Sequence, residues 1–138
     1  MSRPALWGIL VAAALYGAAV AYAGGAGGLR LTLESPQVEA QALNAQGSVG
    51  ASVLQVRIGA IENPSLTPFG IAVHLPDGQE IGRFAIFPAD RTGDYFLSLK
   101  PAEQAALAAG DGALLLAIDR IGEPAGPLAV TVDFVRTK

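Results

Sequence analysis

No cysteine occurs in the chain, and that absence removes several classes of protein at once. There is no disulfide framework, no thiolate zinc or iron–sulfur site, no haem attached through cysteine and no lipid anchor on a thiol. Charge is scarce as well, with Asp, Glu, Lys and Arg making up 15% of the residues. Arg3 is the single charged residue among the first 23, so eight basic residues face twelve acidic ones in the remainder. No Lys/Arg cluster exists, which argues against nucleic acid or an anionic lipid surface as the main partner. The mild acidic excess serves solubility. Histidine, methionine and tryptophan occur once each, so the usual metal-ligating and acid–base side chains are thin on the ground.

What is abundant is small and apolar. From Pro4 to Ala23 the chain runs for twenty residues without a charge, and as a helix this would span about 30 Å, the hydrocarbon thickness of a bilayer. Trp7 and Tyr22 stand near its two ends, where amphipathic rings favour the membrane–water interface. Ala13, Gly17 and Ala21 recur every four residues and give a small-residue face of the kind that lets helices pack closely in lipid. This reads as a retained transmembrane helix over residues 1–23. Arg3 lies on the cytoplasmic side, which puts the rest of the chain outside by the positive-inside rule. The opposing signal is Ala21-Tyr22-Ala23, an A-x-A motif followed by small residues, as in a cleaved secretory signal peptide. Under that alternative the remainder is a soluble exported domain.

Residues 24–28, "GGAGG", read as a flexible linker. No strand precedes this glycine run and no helix follows it, so it is not a phosphate-binding loop. Residues 29–138 make one domain, long enough to bury a core without covalent staples. Alternation in "LRLTLE", "SVLQVRIGAIE", "FGIAVHL", "EIGRFAIF", "YFLSL" and "LAVTVDFV" marks half-buried strands. Leu54, Val56 and Ile58 point inward with Gln55 and Arg57 outward, and Leu128, Val130, Val132 and Phe134 form one inward face. "ALLLAID" is continuously apolar, as a central strand would be. "PDGQ" reads as a tight hairpin turn and "PAEQAALAAGDG" as the one short helix, with Pro101 at its start and Gly110 past its end. Residues 35–50 carry little pattern and are open to strand, helix or loop. The expected fold is all-β: an antiparallel β-sandwich of Ig-like or Greek-key character with about seven strands, preceded by a single N-terminal transmembrane helix.

From Phe69 onward the pieces "PFGIAVHLPDG", "IGRFAIFP", "YFLSLKPAEQAALAAGDG", "ALLLAIDRIG" and "LAVTVDFV" follow a characteristic succession. It resembles that of the C-terminal β-sandwich domain of plant-type polyphenol oxidases and related tyrosinases. The resemblance covers about half the chain and is carried mostly by apolar alternation; Pro68 and Gly70 replace the Lys and Asp of that family's signature strand. It implies a fold and no oxidase activity, because the family's copper-binding histidines belong to a separate helical domain. The role it implies is covering, or docking on, another protein.

Chemistry is hard to find. His74, the single histidine, falls on the strand face opposite Phe69, Ile71 and Val73 and has no Cys or second His for company, so it reads as a surface residue rather than a ligand. Asp77, Glu80, Asp90 and Asp94 could be drawn together as a calcium site, but they lack EF-hand spacing and suit ordinary turns. G-x-S-x-G is absent, and one histidine outside any motif gives no triad. Asn63-Pro64-Ser65 fails as a glycosylation site because proline occupies its middle. Phe96, or Tyr95 in the other register, is a possible interface anchor. No cofactor, metal or nucleic acid is expected, and no enzyme activity. The reading is a non-catalytic accessory or structural subunit of a bacterial membrane complex, respiratory or photosynthetic. One inner-membrane helix would anchor it, and its periplasmic sandwich would dock on other subunits. The alternative is a secreted periplasmic binding or chaperone-like module.

Overall fold

A computed structural model describes residues 28–43, 53–123 and 125–138. The strands are β1 (Leu29–Thr32), β2 (Gln37–Gln41), β3 (Val53–Glu62), β4 (Phe69–His74), β5 (Glu80–Ile86), β6 (Gly93–Ser98), β7 (Ala113–Arg120) and β8 (Ala129–Thr137), with helix α1 (Pro101–Ala109) between β6 and β7. They form two four-stranded sheets, β1-β8-β3-β6 and β2-β7-β4-β5. Every strand pairing is antiparallel. The sandwich and its Greek-key character are as expected. The strand order departs from the Ig pattern: of the strands adjacent in sequence only β4 and β5 are neighbours in a sheet, and the other connections cross between sheets. Two interlocked Greek keys of this order make an eight-stranded jelly roll.

All seven expected strands are present, and an eighth, β2, occupies the weakly patterned region. Its sequence QVEAQ buries only Ala40 and half-buries Val38, because it is an edge strand with one face on the core. That leaves too little alternation to read.

The core between the sheets is aliphatic. Leu31, Leu54, Val56, Ile58, Ile71, Val73, Leu114, Leu116, Val130 and Val132 are wholly buried, with Phe69 the largest member. Each such side chain contributes about 1.5–3 kcal/mol by leaving water. At the sandwich's edge Phe84 of β5 and Tyr95 of β6 stack with ring centroids 4.8 Å apart, joining the two sheets. Helix α1 starts at Pro101, and the Glu103 carboxylate accepts from the Lys100 N–H at 2.8 Å. It drops Leu107 into the core. Asp111 and Gly112 have positive φ, and the Gly112 N–H donates to Leu107 O at 2.7 Å, which closes the helix and starts β7.

One expectation fails inside β8. Phe134 does not continue the inward face of Val130 and Val132. Arg57 pairs with Phe134 and Ile58 with Val132, so Asp133 is an extra residue in β8, and Gly59 is extra in β3 just beyond it. A bulge reverses the side-chain alternation. Val135 therefore takes the core position, at 2% exposure, while Phe134 turns outward. A β-carbon at Gly59 would run into the Asp133 carboxylate, so the glycine makes room for the paired bulge. In β7, Leu114 and Leu116 face the core while Leu115 is only half-buried on the outer side. The strand is central, as its apolar run implied, but its outer face is not fully covered.

Candidate functional site

The registers sort the connections between two ends of the sandwich. Thr32 and Glu62 both lie opposite Ala129, and Phe69 lies opposite both Ile86 and Arg120. Connections 33–36, 63–68, 87–92 and 121–128 therefore share one end. The β4–β5 turn, α1, the start of β1 and the end of β8 occupy the other. Three large apolar side chains stand out from the first end: Leu66 at 53% exposure, Phe87 at 80% and Ile121 at 57%.

Those loops are tied to one another. Asn63, only 5% exposed, donates through Nδ2 to the carbonyls of Thr67 and Ala89, at 3.0 Å each, and accepts from the Thr67 N–H at 3.0 Å. Thr67 Oγ1 accepts from the Ala125 N–H, Ser65 Oγ donates to Ala125 O, and the Ile121 N–H donates to Pro68 O. Leu66 is held with φ of 50°, by a turn bond from its N–H to Asn63 O. A left-handed backbone at a leucine costs of order 1 kcal/mol. The exposed tips are therefore presented by braced loops.

The outer face of the first sheet carries a second constellation. Asp94 of β6 receives Arg57 Nε at 2.8 Å, Arg57 Nη2 at 3.2 Å and Gln55 Nε2 at 2.9 Å. Gln55 Oε1 accepts from Arg136 Nε at 2.8 Å. The guanidinium carbons of Arg57 and Arg136 lie 5.8 Å and 5.1 Å from the centroid of the Phe134 ring, and Lys138 Nζ lies 5.9 Å from that of Phe96. These are cation–π distances. Hydrogen bonds from Gln55 and Arg57, with the nearby charges of Arg57 and Arg136, hold the Asp94 carboxyl below its ordinary pKa. Gln55 points outward, as its place in the alternation implied, yet is only 3% exposed because these neighbours cover it.

The second sheet's outer face is strapped by its own side chains. Arg83 binds Glu80 through Nε at 3.0 Å and Nη2 at 2.6 Å, and reaches across β4 to Asp119 on β7. Beneath it Ala72 is left 4% exposed. His74 lies on this face, 3.7 Å from Glu80. Hydrogen bonding from Arg83 lowers the Glu80 pKa, and Glu80 and Asp119 together raise that of Arg83.

The acidic residues considered for calcium do not converge. Asp77 caps the β4–β5 turn by accepting from the Gln79 N–H, Glu80 pairs with Arg83, and Asp94 sits on the other sheet. Among the described residues no group of three or more His, Asp or Glu is arranged to hold a metal ion. Phe96 is exposed, at 54%, while Tyr95 turns inward, as the first of the two registers required. Among the described residues no helix is long and apolar enough to cross a membrane. Residues 1–23, and with them Arg3, Trp7, Ala13, Gly17, Ala21 and Tyr22, lie outside the described residues.

In the sequence Asn63 shows only as the start of a failed glycosylation motif and Gln55 only as an outward strand residue. Asn-Pro signals a turn start, and an amide at an outward strand position between Leu54 and Val56 is unremarkable. Only tertiary structure supplies their partners. No protein-family model matches the chain, and no curated protein shows significant similarity to it.

Proposed function

We propose that this protein is a non-catalytic accessory subunit of a bacterial membrane complex. It is anchored by one N-terminal helix, and its extracytoplasmic jelly roll docks on partner subunits. The observation that carries this reading is the braced end of the sandwich, where Leu66, Phe87 and Ile121 are held out toward solvent by loops hydrogen-bonded to one another. Scattered exposed apolar side chains need no explanation, but several gathered at one end mark an interaction surface. The uncharged run of residues 4–23 and its Ala13–Gly17–Ala21 face supply the anchor and a helix-packing surface. The likeness to the polyphenol oxidase C-terminal sandwich points the same way, toward a domain that covers another.

β1 begins at the end of the sandwich opposite the apolar tips. An anchor preceding it therefore joins the sandwich, through the Gly-rich linker, at the end away from the apolar tips. The motif Ala21-Tyr22-Ala23 favours a second reading, a signal-peptide-cleaved periplasmic module that binds protein through the same tips.

Purification of the full chain from native membranes in mild detergent, with mass spectrometry of what accompanies it, tests both readings. The expected result is an intact chain with stoichiometric partner subunits. They should be lost from a Phe87→Asp, Ile121→Asp variant that still unfolds cooperatively, and weakened by Gly17→Leu. An intact membrane-bound chain without partners defeats the docking role. A mature N-terminus at Gly24 in the soluble fraction replaces the anchor with the second reading.

A further inference from the structure

We propose that the outer face of the first sheet binds an acidic segment of a partner protein, seating an apolar side chain on Phe96 and carboxylates against Arg136 and Lys138. The chain as a whole carries a net charge of −3, yet beyond the Arg30–Glu62 pair at the other end of this face Arg57, Arg136 and Lys138 gather around one carboxylate, Asp94. Asp94 is already spent on Arg57 and Gln55. Asp133 lies one step further along β8, at the bulge beside Gly59. Arg136 meets a neutral amide oxygen and Lys138 an aromatic ring, and neither has an ion-pair partner among the described side chains. The two cations are therefore available to an incoming anion.

The face is also pre-shaped. Gln55 and Asp94 fix the guanidinium groups, and Phe134 backs both of them at cation–π distance. Little ordering is left to occur on binding, which is the condition for a useful affinity from a small patch. Phe96 supplies the apolar element, 54% exposed on an edge strand. A segment that carries an apolar side chain among acidic ones matches this face in charge and in its apolar element. A basic or uncharged one does not. The site stands apart from the braced loop tips and uses none of their residues, so either proposal can fail alone.

The test is fluorescence anisotropy on the full chain in detergent, with a short labelled peptide of alternating glutamate and leucine as probe. Peptides with lysine or serine in place of glutamate are the comparators. The glutamate peptide should bind best and weaken as added salt shortens the screening length below about 8 Å. Arg136→Gln and Phe96→Ser should each weaken it by about tenfold, and Lys138→Gln by less, with circular dichroism unchanged. Lys138 is exposed at the end of β8, so that variant keeps the test valid should Arg136→Gln unfold. Equal binding of the serine or lysine peptide overturns the proposal. So does glutamate-peptide binding that ignores salt or survives all three substitutions.

Discussion

The two outer faces of the sandwich use the same materials to opposite ends. Each has an arginine bonded twice to one carboxylate on a neighbouring position, Arg83 to Glu80 on the second sheet and Arg57 to Asp94 on the first. On the second sheet a further carboxylate, Asp119, meets the same arginine, so acid exceeds base, and the strap lies flat over small residues. On the first sheet further cations, Arg136 and Lys138, surround the pair, and the residues between them are aromatic. Fold alone does not distinguish the faces, since both are made of four antiparallel strands. What separates them is the balance of charge left over once internal pairing is complete: on the second sheet two carboxylates share Arg83, whereas on the first Arg136 and Lys138 have no carboxylate of their own among the described residues.

The largest test of that contrast is steric. A β-carbon at Gly70, under the Arg83 strap, would sit 2.5 Å from the Phe84 carbonyl oxygen and 3.3 Å from Ala85 Cα. Gly70→Ala must move backbone, and should cost about 2–3 kcal/mol in denaturant unfolding. Gly59→Ala on the first sheet meets the end of the Asp133 side chain instead, which can swing away. It should cost under about 1 kcal/mol. Equal costs would mean that the second sheet's flat, small-residue surface is incidental.

Next in size is the brace between the loop tips. Asn63→Ala removes partners from the Thr67 N–H and from the carbonyls of Thr67 and Ala89, and should cost about 2 kcal/mol. It should also raise protease sensitivity between residues 63 and 68 while leaving peptide binding at the first sheet intact. Gln55→Ala is the counterpart on that face. It deprives Asp94 and Arg136 of one bond each and should cost about 1 kcal/mol. Its larger effect should be on the glutamate–leucine peptide, because Arg136 loses the group that aims it.

Much of the architecture was legible in residues 53–137, where alternation of apolar and polar side chains has a simple physical cause: one face of each strand is wet. β2 escaped because an edge strand with one buried alanine has almost no alternation to display. Phe134 was misplaced for a different reason. Bulges at Gly59 and Asp133 shift the parity of two strands together, and nothing in VTVDFV distinguishes a bulged run from a regular one. The jelly-roll order itself is a long-range property, set by which strands cross between sheets, and local pattern is silent on it. The outer face of the first sheet was half legible. Phe96 was visible as an aromatic on the outward side, but Arg57, Arg136 and Lys138 are far apart in the chain and become a cluster only through the β6-β3-β8 register.

The smallest expected effect is in acid, and it compares the two faces directly. Asp94 and Glu80 both have folded-state pKa values below their ordinary ones, Asp94 through Gln55 first and Arg57 second, Glu80 through Arg83. A carboxylate whose pKa is lowered by folding stabilises the native state at pH values above its unfolded pKa, near 4. That contribution disappears as the pH falls through the lower, folded value. Both groups are solvent-exposed, so the change in stability is modest and is best read as a difference between variants. Asp94→Asn and Glu80→Gln should each lower the thermal midpoint slightly at neutral pH and flatten its decline below about pH 4, so that variant and parent converge in acid. Added salt should blunt the Asp94 effect. Part of the Asp94 shift comes from the charge of Arg136, which is not hydrogen-bonded to it, and such longer-range attraction is what mobile ions screen. An Asp94 carboxyl resonance that titrates at the same pH with and without high salt would show that the surplus cations do not act on it, and the distinction between the faces would reduce to their aromatic content.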